Sequence, residues 1–304
     1  MVEPLSQGRA ASGERASSSQ HTTKTPSIGP RLSPAGGVVI DGIDLSQPVT
    51  PNAIALIRDA LREHHIVVIR EQVLAREQQF ALSANFGEVE HSSTRKAQHK
   101  RYAVAHVISN LDENGDPVDR SSSPVSNYNW HTDKPYYPAP PMMTTLYAVE
   151  TPPEGGDTEF ANTGLAFSAL STEMKRQLAE LRVAFRWGAR RPEGDNQMLA
   201  VSDKQEFVDH PLVRTHPETG IKALYLGNHA SHIVGWPLPE GRALLDQLLT
   251  HATQRQFVYS HRWRVGDLVM WDNRCLLHRV VANFRTDRER RVLHRTVVRG
   301  TVPV

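Results

Sequence analysis

The sequence predicts a mainly β fold with flanking helices, either a β-sandwich or a jelly roll. Strand-like segments dominate the second half of the chain, and three of them lie close together near its C-terminus. Helical patterns occur early in the chain and between strands, which is typical of helices packed outside a sheet core. With 304 residues, 39% of them hydrophobic, the chain can bury such a core in one domain.

The N-terminal segment, residues 1–33, is predicted to be a disordered tail before a single domain over residues 34–304. It is rich in Ser, Thr, Gly and Pro, and it lacks apolar periodicity. A transit peptide is the alternative, because the segment is Ser-rich and poor in acidic residues. Glu3 and Glu14 interrupt it, however, and no amphipathic Arg-bearing pattern is present. We therefore favour a plain tail.

The first half of the domain combines short strands with two amphipathic helices. Thr50-Pro51 is typical of a helix start, and Gly87 of a helix end. The predicted elements are a strand at 36–40, a helix at 52–64, a strand at 66–69, a helix at 74–86 and a strand near 102–108. Residues 92–129 are otherwise polar, and long loops in compact domains are usually functional or disordered. We interpret this stretch as a substrate lid, with an idle surface loop as an equal alternative.

The second half is dominated by strands. Gly155-Gly156 marks a turn, Ser171 is a candidate helix cap, and residues 190–209 form a polar insertion. The predicted strands are 142–149, 158–160, 222–226, 256–265, 267–271 and 291–299, and the predicted helices are 165–181 and 239–253.

Composition narrows the class of protein. The net charge is only +2, so no nucleic-acid partner is indicated. The single cysteine, Cys275, excludes an internal disulfide framework and fits a reducing cytoplasm. No apolar run is long enough to span a bilayer, so we expect no membrane partner. Homo-oligomer formation is left open.

His131 and Asp133 form the most informative pair of residues. On an extended strand, residues i and i+2 point to the same side, so both side chains could bind one metal ion. Two histidines and one carboxylate with open coordination positions suit non-haem Fe(II), and the candidate third ligand is His278. The alternative to metal binding is a structural role, since an H-x-D pair is often a solvated or structural pair and His278 could be a core histidine.

Two arginines near the C-terminus suggest anion binding. On a strand, Arg291 and Arg295 share one face, and two like charges there are costly unless each has an anion. Arg binds carboxylates through a planar fork, so the pair suggests two carboxylates, one from each of two small molecules. A solvated basic edge strand is the alternative.

Several motifs together resemble those of the taurine dioxygenase/2,4-dichlorophenoxyacetate dioxygenase family, which comprises Fe(II)- and 2-oxoglutarate-dependent oxygenases. The resemblance covers about residues 36–300. The motifs are Asn85–Glu88 (NFGE), Trp130–Asp133 (WHTD), Gly155–Phe160 (GGDTEF), Pro211–His216 (PLVRTH), Trp271–Arg274 (WDNR) with His278, and Arg290–Arg295. The 2,4-dichlorophenoxyacetate branch is most similar, on Leu226–His232 (LGNHASH), Glu240–Arg242, His251–Gln254 and Gly266–Cys275.

The resemblance implies a double-stranded β-helix, the jelly roll named above, and it assigns roles to the candidate residues. His131, Asp133 and His278 would hold Fe(II). Arg291 and Thr158 would bind the distal carboxylate of 2-oxoglutarate. Arg295 would bind the acidic group of the primary substrate, and Asn127 and His91 are further candidates for substrate binding.

The function implied by the resemblance is hydroxylation of a small organic acid, with 2-oxoglutarate and O2 as cosubstrates and succinate and CO2 as products. An aryloxyalkanoate, cleaved at its ether bond, is the preferred substrate. The alternatives are an alkanesulfonate or alkyl sulfate dioxygenase on the same fold, and a non-catalytic metal-binding jelly roll. Lys134–Tyr137 departs from the serine-rich segment associated with the phenoxyacetate enzyme, and we expect Tyr136 and Tyr137 to offer apolar contact to a substrate ring.

Overall fold

A computed structural model describes residues 25–93, 101–102, 104–119, 127–189 and 206–304. The described strands are β1 (Ser27–Ser33), β2 (Gly36–Asp41), β3 (Ile66–Ile69), β4 (Ser92–Ser93), β5 (Arg101–Tyr102), β6 (His106–Ser109), β7 (Met143–Glu150), β8 (Thr158–Asn162), β9 (Arg182–Phe185), β10 (Val208–Pro211), β11 (Val213–Thr215), β12 (Lys222–Leu224), β13 (Ala230–Ile233), β14 (Val258–His261), β15 (Leu268–Asp272), β16 (Leu276–Val280) and β17 (Val292–Val298). The described α-helices are α1 (Pro51–His64), α2 (Arg76–Ala84), α3 (Thr163–Ser168), α4 (Thr172–Leu178) and α5 (Leu238–Ala252).

Seven strands form the largest sheet, in the order β1-β2-β3-β15-β7-β17-β6. Only the β2–β3 pair is parallel, and α1 supplies the crossover that a parallel pair needs. The Thr50 side chain accepts a hydrogen bond from the Ala53 amide at 3.3 Å, and the helix ends where His65 adopts a left-handed φ of 64°. The predicted start of this helix is therefore confirmed.

A smaller sheet, β14-β8-β16, shares a core with the large sheet. Val68 and Val269 of the large sheet pack in one buried cluster with Phe160 and Leu276 of the small sheet. Val67, the neighbour of Val68, points to the opposite face and packs in a second buried cluster, which includes residues of α1 and α2. The predicted mainly β core with flanking helices is confirmed.

The tail boundary predicted at residue 33 is wrong. Residues 27–33 form β1, which pairs antiparallel with β2 from Ser27 opposite Asp41 to Ser33 opposite Gly36. This edge strand is largely exposed, so backbone pairing rather than an apolar alternation defines it. Residues 1–24 lie outside the described part of the chain.

The helix predicted at 165–181 is two helices, α3 and α4. The Ser171 hydroxyl accepts a hydrogen bond from the Met174 amide at 3.1 Å and starts α4, as predicted from its capping chemistry. Parts of both predicted polar stretches, residues 94–100, 103, 120–126 and 190–205, lie outside the described residues. The substrate lid therefore stays a prediction. None of the described helices has both the length and the apolar character needed to cross a membrane.

Candidate active site

His131, Asp133 and His278 meet between the two sheets. His131 pairs with His278 of β16 through an isolated antiparallel bridge, with N–O distances of 3.0 and 2.7 Å between their backbones. Asp133 lies two residues further along, and its carboxylate accepts a hydrogen bond from Thr144 of β7. The three side chains are buried, and their candidate ligand atoms lie within 4.8 Å of one another.

Asp133 is oriented by a chain of hydrogen bonds. The Thr144 hydroxyl donates to its Oδ2 at 2.5 Å, and Asn273 Nδ2 donates to the Thr144 hydroxyl at 2.9 Å. Trp271 Nε1 in turn donates to Asn273 Oδ1 at 3.0 Å. Burial opposes ionisation, but the nearby His278 and Arg295 and the Thr144 hydroxyl hold the pKa of Asp133 well below its usual range. The carboxylate is therefore ionised, fixed in orientation and available to a cation.

Both histidines are suited to metal coordination. His131 Nδ1 lies 2.7 Å from the Asn129 carbonyl oxygen, which can only accept, so Nδ1 carries the proton and Nε2 keeps its lone pair. Burial lowers the pKa of His131, and burial with the adjacent His131 lowers the pKa of His278 to about 3. His278 Nδ1 is buried without a hydrogen-bond partner within the described chain. Two neutral imidazoles and one carboxylate fit a divalent transition metal.

A cavity opens beside these three side chains. Its polar lining contains every residue predicted to bind metal or 2-oxoglutarate and two of those predicted to bind substrate. They are Asn127, His131, Asp133, Thr158, His278, Arg291 and Arg295. The structure therefore brings together residues that lie far apart in the sequence.

Arg291 is a buried cation in this cavity. Its Nε donates to the Gly156 carbonyl oxygen at 2.9 Å, and its Nη2 donates to the Thr158 hydroxyl at 3.2 Å. Burial lowers its pKa to about 10, against the opposing influence of Tyr128 and Asp157, so the group stays charged at neutral pH. No carboxylate forms an ion pair with it among the residues that the structure describes. An anionic ligand would complete its environment.

Arg295 lies between this cavity and a second cleft. Its Nη1 is 3.8 Å from Asp133 Oδ1, and its Nε is buried without a partner in the described residues. The second cleft is lined by Glu90, His91, Val104, His106, Lys134, Arg295 and Val297. We call it the polar cleft. His91 therefore faces this cleft rather than the cavity beside His131.

The polar character of this cleft was not predicted from the sequence. Lys134 forms an ion pair with Glu90 and has a φ of 47°, which is uncommon for a residue other than glycine. The sequence offered one signal for this feature. Lys134 directly follows Asp133, at the point where the sequence departs from the family pattern. Tyr136 and Tyr137 line neither cavity. Tyr136 packs edge-on against His229, and Tyr137 is 43% exposed, so their predicted contact with a substrate ring is not supported.

Comparison with known proteins identifies the family. The family described as "Taurine catabolism dioxygenase TauD, TfdA family" matches residues 25–297. The chain belongs to this family. The predicted family membership and the predicted enzyme class, 2-oxoglutarate-dependent dioxygenase, are therefore confirmed at the level of the family, and the family's jelly-roll fold agrees with the two sheets.

Individual TauD/TfdA relatives cover most of the chain. An alpha-ketoglutarate-dependent 2,4-dichlorophenoxyacetate dioxygenase of Cupriavidus pinatubonensis is 39% identical over 257 residues, which is 82% of this chain and 90% of that protein. An alpha-ketoglutarate-dependent sulfate ester dioxygenase of Pseudomonas putida is 30% identical and covers 88% of each chain. The crystal structure of AAD-2 with Mn(II) and N-oxalylglycine superposes with a TM-score of 0.79 at 33% identity, over 92% of this chain and 98% of the other.

Proposed function

We propose that the protein is an Fe(II)- and 2-oxoglutarate-dependent dioxygenase that hydroxylates a small organic acid, with an aryloxyalkanoate as the preferred substrate class. The observation that carries this proposal is one cavity lined by a buried His-Asp-His cluster and two arginines. A metal site alone would also fit a non-catalytic protein. Two cations facing the same cavity instead suggest two anionic ligands beside the metal.

His131, Asp133 and His278 are the proposed Fe(II) ligands. Their donor set, two nitrogens and one oxygen, leaves coordination positions open for small molecules. Fe(II) held by these residues would supply O2 activation; in the overall reaction one oxygen atom would enter succinate as CO2 is released, and the other would enter the substrate. Thr144 and Asn273 would keep the Asp133 carboxylate oriented during this chemistry.

Arg291 and Thr158 are the proposed binding residues for the distal carboxylate of 2-oxoglutarate. Arg291 is buried, charged and in contact with Thr158, so a carboxylate placed here would neutralise it and accept charge-assisted hydrogen bonds. Thr158 is the first residue of β8, and Arg291 directly precedes β17. Both residues are therefore positioned by the sheets. A fixed anion site of this kind would orient the oxoacid toward His131, Asp133 and His278.

Arg295 is the proposed binding residue for the acidic group of the primary substrate. It faces both the cavity and the polar cleft, and its Nε has no partner in the described residues. Asn127 in the cavity and His91 in the cleft are the proposed additional contacts. The aryloxyalkanoate preference rests on the 39% identical relative, which is named for 2,4-dichlorophenoxyacetate. Hydroxylation of the carbon that bears the ether oxygen gives a hemiacetal, which collapses with cleavage of the C–O bond.

A sulfate ester or sulfonate is the second candidate substrate. The polar cleft supports it, because Glu90, His91, His106 and Lys134 offer hydrogen-bonding groups where an aryl ring would favour apolar contact. A relative named as a sulfate ester dioxygenase covers as much as 88% of the chain. Arg295 could bind any of these anions, so charge alone does not separate the two classes.

A substrate panel tests the proposal. Phenoxyacetate-type acids, taurine, longer alkanesulfonates and alkyl sulfates would be supplied at equal concentration with Fe(II), 2-oxoglutarate and O2. We expect close to one succinate formed per aryloxy acid consumed. If succinate formation is coupled only to loss of a sulfonate or sulfate ester, the proposed aryloxyalkanoate class is wrong. If 2-oxoglutarate is not turned over with any compound, a non-catalytic protein is favoured. Cytoplasmic location stays a prediction, and homo-oligomer formation stays open.

A further inference from the structure

Trp263 lies behind the proposed 2-oxoglutarate site, in the segment that follows β14. It is one of five tryptophans, it is buried, and the sequence analysis assigned it no role. Its Nε1 donates a hydrogen bond to the Thr158 hydroxyl at 2.9 Å. The Arg291 guanidinium carbon lies 6.0 Å from the centroid of its ring. One side chain therefore contacts both residues proposed to bind the distal carboxylate.

The hydrogen bond fixes what the Thr158 hydroxyl can do. A hydroxyl has two acceptor lone pairs and one proton. Thr158 Oγ accepts from Trp263 Nε1 at 2.9 Å and from Arg291 Nη2 at 3.2 Å, so both lone pairs are used. Its proton remains for donation, and Thr158 lines the cavity. The hydroxyl is thereby held as a donor, the form that a carboxylate requires.

Trp263 is itself held by a buried polar network. Its ring packs edge-on against His261, with centroids 4.6 Å apart and an angle of 83°. His261 Nε2 lies 3.1 Å from Asp267 Oδ2, and Arg70 Nη1 lies 2.8 Å from the same oxygen. His261 and Asp267 are fully buried. Since this network links the last residue of β14 to the residue before β15 and the residue after β3, the indole has little freedom to move.

We propose that Trp263 is a positioning residue for 2-oxoglutarate, which acts by holding the Thr158 hydroxyl as a donor and by packing under Arg291. This inference rests on the proposed function, because it assumes that Thr158 and Arg291 bind the distal carboxylate. The effect is specific to that carboxylate. An oxoacid of the same length without it, 2-oxopentanoate, gains nothing from Trp263.

The test compares Trp263→Phe with the wild type by anaerobic calorimetric titration of the Mn(II)-loaded protein. Phenylalanine keeps an aromatic ring beneath Arg291 and removes the N–H donor. We expect about fivefold weaker binding of 2-oxoglutarate, the value of one neutral hydrogen bond, and unchanged binding of 2-oxopentanoate. Trp236→Phe is the matched control, because Trp236 is 42% exposed and lies outside both cavities, and it should change neither.

A double-mutant cycle and a spectroscopic measurement complete the test. In a Thr158→Val background, Trp263→Phe should weaken 2-oxoglutarate binding no further. Should Trp263→Phe fail to fold, the indole ¹⁵N–¹H signal of Trp263 still decides. We expect it to move in Thr158→Val and to stay in place in Thr158→Ser, which keeps the acceptor.

The outcomes separate the inference from the proposed function. If the wild type binds 2-oxoglutarate no better than 2-oxopentanoate, or Arg291→Leu keeps the preference, the proposed 2-oxoglutarate site is wrong. If Arg291→Leu abolishes the preference while Trp263→Phe leaves its size unchanged, only the role of Trp263 is wrong. The inference would also be overturned if Trp263→Phe weakened the binding of both oxoacids equally, or if the indole signal did not move in Thr158→Val.

Discussion

The two sides of the candidate active site are built differently. On the side of Arg291 and Thr158, the side chains are buried, fixed by hydrogen bonds of 2.9–3.2 Å and supported from behind by Trp263. On the side of the polar cleft, Glu90 and Lys134 are about one-quarter exposed and form an ion pair with each other. The difference suggests that the first side is preorganised for one ligand, and that the second is where this protein's substrate preference is set.

Removal of a proposed metal ligand should have the largest effect, because both sides depend on it. We expect His278→Ala to lower turnover more than about a hundredfold, since loss of a residue that merely supports a ligand costs about 10–100-fold. The fold should remain, as judged by an unchanged thermal unfolding transition of the metal-free protein. A visible absorption band on adding Fe(II) and 2-oxoglutarate without O2 should appear in the wild type only. An unchanged band in His278→Ala would remove this residue from the site.

Arg295→Leu should act mainly on the substrate side. Truncation of a charged group that binds an anion in a desolvated site costs on the order of 2–5 kcal/mol. The KM for the organic acid should therefore rise about 30-fold or more, with the KM for 2-oxoglutarate little changed. Arg295→Lys should recover part of the loss, because the charge returns without the planar fork. A rise in the KM for 2-oxoglutarate alone would exchange the roles of the two arginines.

Thr144→Val should weaken the metal site without touching either anion site. The Thr144 hydroxyl donates to Asp133 and accepts from Asn273, so valine removes both contacts at similar volume. We expect Fe(II) affinity to fall about 10–100-fold. Equilibrium competition with a chelator measures this affinity directly. Thr145→Val is the neighbouring control, since the Thr145 hydroxyl has no partner in the described residues. Equal affinities in both variants would contradict the orienting role of Thr144.

Lys134→Gln should produce the smallest effect on stability and the most selective effect on substrates. An ion pair at a solvent-accessible cleft is worth about 0–1 kcal/mol, so the free energy of unfolding should change by no more than that. The described lining of the cleft contains two cations, Arg295 and Lys134, and one carboxylate, Glu90. Removal of the Lys134 charge should therefore lower kcat/KM for dianionic acids more than for monoanionic acids. Glu90→Gln should instead favour dianionic acids over monoanionic acids. If both variants show the same relative kcat/KM values, the Lys134–Glu90 pair does not set substrate specificity.

Residues in short motifs could be predicted from the sequence, whereas contacts between distant segments could not. His131, Asp133, His278, Thr158 and Arg291 could be assigned because each belongs to a short motif whose residues have fixed chemistry. The pairing of His131 with His278 could not be derived from local pattern, since a backbone bridge between distant segments forms only in the folded sheet.

The missed features depend on tertiary contacts or lack a pattern. From the sequence, Trp263 cannot be distinguished from an ordinary core aromatic, because only the folded structure shows its N–H donating to Thr158. The edge strand β1 carries no apolar alternation, so the tail was predicted to extend too far. Tyr136 was predicted to face a substrate ring, but it packs against His229 and the core beneath α5. Sequence reasoning was therefore strongest for motif residues and weakest for residues whose partners lie elsewhere in the chain.

The central claim is that two arginines in one cavity serve two different anions, and titration of 2-oxoglutarate into Mn(II)-loaded variants tests it most directly. Arg291→Leu should weaken 2-oxoglutarate binding about 30-fold or more, because the distal carboxylate of the oxoacid would lose its buried cationic partner. Arg295→Leu should leave the same dissociation constant within about twofold. A larger loss in Arg295→Leu than in Arg291→Leu, or equal losses in both, would contradict the account.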